Sequence, residues 1–130
     1  MSQQLVCLAR TALGRPYRLS ALAVDAPECY NCLSLICSVL KQVGIHVEQR
    51  LEHLSAVGTE VPLTQLRGGD ILFTSGLRNW YNGLGHVGLA ASPNTVIHAC
   101  YREKRVVEVP LERFIGRRKF YGARRILLHA

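Results

Sequence analysis

Apolar residues follow one spacing in the first third of the chain and another in the second half. Leu5, Leu8, Ala9, Ala12 and Leu13 share one face of a helix predicted over residues 2–13, with Gly14 as its stop. Pro16, Asp25 and Pro27 make 15–31 a long loop. Leu35, Ile36, Val39, Leu40 and Val43 predict a second helix over 32–43, closed by Gly44. Leu51 and Leu54 mark a shorter third one over 48–57. The second half reads as strands at 71–74, 86–91, 95–101, 105–109 and 120–128. Gly68-Gly69-Asp70 is a tight approach to the first of these, and 110–114 suits a one-turn helix. Helices followed by antiparallel strands predict an α+β domain, with the helices packed on one face of a sheet of about five strands.

No repeat, low-complexity tract or linker divides the sequence, so residues 1–130 form a single domain. That length buries roughly two-thirds of the extended chain's surface. Hydrophobic residues make up 48% of the chain, yet no apolar run approaches the roughly 18 residues of a membrane span. Met1-Ser2-Gln3-Gln4 lacks a basic leader and Arg10 interrupts the apolar stretch, so no signal peptide is visible. The expectation is a cytoplasmic protein or one exported by a signal-independent route.

Charge and cysteine content narrow the chemistry. The formal charge is +7, and Arg113, Arg117, Arg118, Lys119, Arg124 and Arg125 fall in a C-terminal stretch without an acid. Arg117, Arg118, Lys119, Arg124 and Arg125 thus form a candidate patch for an anionic partner: wall polymer, nucleic acid or acidic protein. The alternative is a solvated edge strand protected by its charge. The five cysteines are an odd set. Cys29 and Cys32 have the spacing of a redox pair or half a zinc site, but Cys37 and Cys100 do not make a second pair. Neither a metal, a cofactor nor a disulfide framework is expected, and Cys7, Cys37 and Cys100 read as small buried hydrophobes.

Cys32 is different because it opens a predicted helix. A helix N-terminus offers unpaired N–H groups and partial positive charge, which lower a thiol pKa. His86 and His98 lie on the two strands of a predicted hairpin around Ser92-Pro93-Asn94. If Asn94 takes the left-handed conformation in a three-residue turn, residue 91 pairs with 95, and the two histidines share a sheet face as diagonal neighbours. A two-residue turn would put them on opposite faces. The set assigns Cys32 as nucleophile, His86 as general base and acid, and His98 as the group orienting the ring. Such a site attacks an amide or ester carbonyl. Trp80 and Tyr81, in the glycine-flanked loop 75–85, either line a cleft or cap the core.

Several motifs in order carry a resemblance: Arg15-Pro16-Tyr17; Tyr30-Asn31-Cys32-Leu33-Ser34-Leu35; Leu66-Arg67-Gly68-Gly69-Asp70-Ile71-Leu72-Phe73; Gly85-His86-Val87-Gly88-Leu89; and Val96-Ile97-His98-Ala99. The chain resembles the NlpC-type cell-wall peptidases, papain-like cysteine peptidases of bacteria, over nearly its whole length. The resemblance implies a Cys-bearing helix against an antiparallel sheet and the triad Cys32, His86 and His98. It also implies that Tyr17 lines the site and helps hold the oxyanion, with the Cys32 N–H as second donor. The implied substrate is the amide between γ-D-glutamate and a diamino acid in peptidoglycan stem peptides.

Two departures bear on specificity. The family usually has Asp-Cys-Ser-Gly around the nucleophile, where this chain has Asn31-Cys32-Leu33-Ser34. The missing carboxylate and hydroxyl at Asn31 and Leu33 remove groups that in many members recognise a free substrate amine. Other readings are a related thiol hydrolase or acyltransferase, or a secreted antibacterial effector of the same chemistry with an immunity or carrier partner. A non-enzymatic basic binding module is the remaining one. It lacks the aromatic interleaving of single-strand binders and any recognised nucleic-acid motif.

Overall fold

The fold is that of a computed structural model describing residues 2–76 and 83–126. Its helices are α1 (Ser2–Thr11), α2 (Cys32–Gln42), α3 (Leu51–Leu54) and α4 (Leu111–Ile115). The strands are β1 (Thr59–Val61), β2 (Ile71–Thr74), β3 (His86–Ala90), β4 (Thr95–Cys100), β5 (Arg105–Pro110) and β6 (Phe120–Arg125). All pairings are antiparallel, in the order β1-β6-β2-β3-β4-β5. The α+β class holds, with six strands instead of about five. No described helix is long and apolar enough to cross a membrane.

Alternation along the strands sorts the core into two layers. Ile71, Phe73, Val87, Leu89, Ile97 and Ala99 pack under α1 and α2 with Leu5, Leu35, Ile36, Val39 and Leu40. On the opposite face Leu72, Ala90, Val96 and Ala123 pack with Phe114 of α4. The sheet is therefore covered on both sides, whereas the linear pattern placed helices on one. The third helix shrinks to a single turn, although Leu51 and Leu54 are buried as the spacing requires. α1 stops at Thr11, which leaves Leu13 exposed.

β1 was not foreseen, since three residues with one buried side chain carry no readable alternation. Two contacts to β6 fix it there. A Cβ at Gly58 would meet the Arg125 carbonyl oxygen at 2.1 Å, so only glycine allows that approach. The Arg124 guanidinium donates to the carbonyls of Val57 and Gly58, each at 2.8 Å. The approach to β2 at Gly68-Gly69-Asp70 forms as expected, with Gly69 at φ +95. Asp70, 1% exposed, pairs with Arg125 and accepts the Arg67 N–H.

Candidate active site

Cys32 is the first residue of α2, and its position is set by a reciprocal cap. Asn31 Oδ1 accepts the Ser34 N–H at 2.7 Å while Ser34 Oγ accepts the Asn31 N–H at 2.8 Å. Asn31 Nδ2 donates to the carbonyls of Leu19 and Ala21, both at 2.9 Å, tying the preceding loop to the helix start. The Asn31 side chain is thus fully engaged inside the protein. Leu33 is half-buried against the main core.

The sheet opens where the helix arrives. The β3–β4 ladder contains Leu89↔Ile97 and Ala90↔Val96 and does not extend toward His86. Ala91 donates to the Thr95 carbonyl at 2.9 Å, which marks a hydrogen-bonded pair. Antiparallel alternation then turns the Val87 N–H toward β4, beyond the end of the ladder. That N–H, with those of Leu33 and Cys32, faces the Cys32 sulfur. The thiol therefore sits beside β3 at the residue after His86.

The thiol pKa corrects the simple helix-terminus expectation. Burial pushes Cys32 above the ordinary thiol value; the three N–H groups and the Arg118 charge only oppose this. Desolvation outweighs the dipole because the sulfur lies between the strand backbone and the helix start. Cys37, deeper in α2, is pushed up to about 11 by burial and by the neighbouring Cys32.

The hairpin has the even-to-even register, since Ala90 pairs with Val96. His86 Nε2 lies 2.9 Å from His98 Nδ1, with the rings at 88°. The means differs from expectation, because Asn94 is not left-handed; the only described non-glycine residue with positive φ is Lys104. Ser92 Oγ accepts the N–H groups of Asn94 and Thr95 at 3.1 and 3.2 Å instead, which closes the same three-residue turn. Phe114 packs on both imidazoles, with ring centroids 5.5 Å from His86 and 5.0 Å from His98. Burial, the His98 ring and Arg118 hold His86 well below the usual imidazole value. Burial and Arg118 bring His98 down to about 4. Burial thus disfavours the charged form of the thiol and of both rings.

Tyr17 is placed by the 15–31 segment, which is pinned at several points. Its N–H donates to the Lys104 carbonyl at 2.9 Å, and it forms a bridge with Tyr30. Burial and the proximity of Cys32 raise its pKa, so it keeps its phenolic proton. Tyr101 meets it edge-on at 5.8 Å between centroids and is itself exposed. Trp80 and Tyr81 lie outside the described residues.

The basic patch breaks up in three dimensions. Arg124 and Arg125 are committed to backbone carbonyls and Asp70, because β6 runs beside β1 and β2. Arg117 and Lys119 are exposed, and Lys119 Nζ lies 5.2 Å from the Tyr121 ring centre. Arg118 instead lies half-buried over the Phe114 ring that packs on both histidines, and its charge is felt at the thiol and the two imidazoles. Phe114 and Arg118 stand beside the histidines; the sequence reading marked Arg118 only as part of the basic run and Phe114 only as the end of a one-turn helix. Cys7 is exposed on α1, not buried. No cluster of three or more His, Cys, Asp or Glu able to hold a metal occurs among the described residues.

Comparison with known proteins identifies the family. The NlpC/P60 family pattern matches residues 14–125. A Corynebacterium glutamicum protein named "Probable endopeptidase" is 34% identical over 97 residues, covering 75% of this chain and 42% of its own length. The chain thus spans less than half of that curated relative. An NlpC/P60 family protein from Bacillus cereus superposes with a TM-score of 0.83 at 23% identity, over 98% of this chain and 41% of that one. The peptidoglycan hydrolase RipB from Mycobacterium tuberculosis gives a TM-score of 0.78 at 18% identity, over 98% of this chain and 65% of that one. A family pattern over residues 14–125, on a fold shared along nearly the whole chain, makes this chain a member of the NlpC/P60 family.

Proposed function

We propose that the chain is a cysteine peptidase hydrolysing amide bonds in peptidoglycan stem peptides, of the γ-D-glutamyl–diamino acid type. The observation that carries the reading is the 2.9 Å contact between His86 and His98 beside the helix start that bears Cys32. The curated relative's name and the family both favour it. His98 engages Nε2 of His86 and so leaves Nδ1 for the thiol proton. Cys32 attacks the carbonyl carbon with its proton passed to His86. The oxyanion faces the Cys32 N–H and the Tyr17 hydroxyl. Collapse breaks the C–N bond, and His86 gives its proton to the leaving amine. Water, deprotonated by His86, then cleaves the thioester and releases the acid.

Specificity follows from what surrounds the helix start. Asn31 is spent on its cap and on the 19–21 loop, and Leu33 packs inward. Of the acids that could replace the missing carboxylate, Asp25 accepts the Leu22 N–H and Asp70 is buried on Arg125, which leaves the exposed Glu28 as the remaining candidate. With position 31 committed to the cap, stem peptides with a capped amine should be cut about as well as free ones, and a strong preference for free amines would point to Glu28 instead. Defined muropeptides incubated with the protein, with products identified by mass spectrometry, test both statements. Absence of γ-D-glutamyl cleavage would overturn the substrate; equal turnover by Cys32→Ala would overturn the nucleophile.

A further inference from the structure

Arg118 is half-buried in the turn between α4 and β6. Its Nη1 donates to the Phe114 carbonyl at 2.7 Å, and its guanidinium carbon lies 5.8 Å from the centre of the Phe114 ring. The same ring rests on His86 and His98, so Arg118 stands at the histidine side of the site. Its charge reaches Cys32 and both imidazoles. Ion pairs among the described residues engage Arg10, Arg50, His53, Arg105 and Arg125, and none engages Arg118. Arg102 in the β4–β5 turn adds a second positive charge close by.

A half-buried guanidinium without a counter-charge is costly, and among the described residues Arg118 spends one of its five N–H donors, on a carbonyl. Arg125 shows what this fold does with an arginine it needs for structure: it supplies a buried carboxylate. At Arg118 it supplies none among the described residues, so the guanidinium offers this side of the site a positive charge for an anion.

We propose that Arg118 is a specificity-determining residue that binds a carboxylate flanking the scissile amide, so that the preferred substrate carries a free carboxylate beside the bond cut. This rests on the peptidase reading for its substrate, but the anion site itself is testable without a peptide. Iodoacetate and iodoacetamide alkylate the same thiol and differ chiefly in charge. The rate ratio of iodoacetate to iodoacetamide at Cys32, read by peptide mapping near pH 8.5, should exceed that of the denatured chain by about tenfold. Arg118→Gln should bring the ratio down to the denatured value, while Arg118→Lys should restore part of it. A ratio unchanged by Arg118→Gln overturns the proposal. If that variant does not fold, the wild-type protein decides: glutarate should protect Cys32 from iodoacetate more than from iodoacetamide, and equal protection overturns the proposal.

Peptide pairs then locate the carboxylate. Replacing it by a carboxamide on the acyl side in one pair, and on the leaving side in another, should raise KM about tenfold or more in the pair that Arg118 reads. Arg118→Gln should erase that difference. Cleavage of none of these peptides strikes the peptidase reading, whereas equal KM within both pairs strikes the role of Arg118.

Discussion

The two faces of the sheet use the same strands for different ends. On the helix face, Ile97 and Ala99 of β4 are sealed under α2 with Leu35, Ile36 and Leu40. On the other face Val96 and His98 meet a thin layer built around Phe114. A Cβ on Gly88 would come within 2.7 Å of Val96 Cγ1 and 2.8 Å of the Phe114 ring, so the ring rests directly on the strand. The thick face provides the apolar burial that holds the fold. The thin one ends at His86 and His98, and the helix N-terminus reaches them only where the β3–β4 ladder stops. Stability and chemistry are thus separated by one residue's alternation along β4.

That division can be broken from either side. The largest effect is expected at the thiol: Cys32→Ala should abolish hydrolysis while calorimetry finds a melting temperature close to wild type. His86→Ala should lower kcat/KM by about 10²–10⁴-fold, since the proton shuttle goes with the ring. Ile97→Ala, one residue from His98 but on the thick face, should instead cost about 2–5 kcal/mol in urea unfolding. The protein that remains folded should keep its turnover. A comparable loss of catalysis in Ile97→Ala and His86→Ala would erase the distinction between the faces.

Acid tests the thin face in another way. His98 is held at about 4 against an ordinary 6.5, so the unfolded chain binds its proton more readily. Stability from this group is complete above pH 6.5 and should fall as pH drops toward 4, by on the order of 3 kcal/mol. Denaturant melts of wild type and His98→Gln across this range should isolate the contribution as the part that the variant lacks. The smallest effect is expected from His98→Gln on turnover near neutral pH. Its amide can still orient His86, so activity should drop by only about tenfold or less, with His98→Ala losing more. Identical rates for the two variants would put the orienting group elsewhere.

Periodic and local features were legible in the chain alone. The α2 spacing announced its buried stripe, the turn length set whether His86 and His98 share a face, and the order of short motifs announced the family. Side-chain period two and helical period 3.6 are properties of neighbouring residues, so they can be read without a partner. The direction of the thiol shift and the fate of the arginines depend on packing between distant segments. The helix start suggested a low thiol pKa, but packing beside β3 desolvates Cys32 and reverses the direction. Arg118 and Arg125 look alike in a basic run; Arg125 meets Asp70, 55 residues away in the chain, whereas Arg118 meets no carboxylate among the described residues. Burial and charge pairing depend on what distant segments bring to a side chain, and no spacing rule records that.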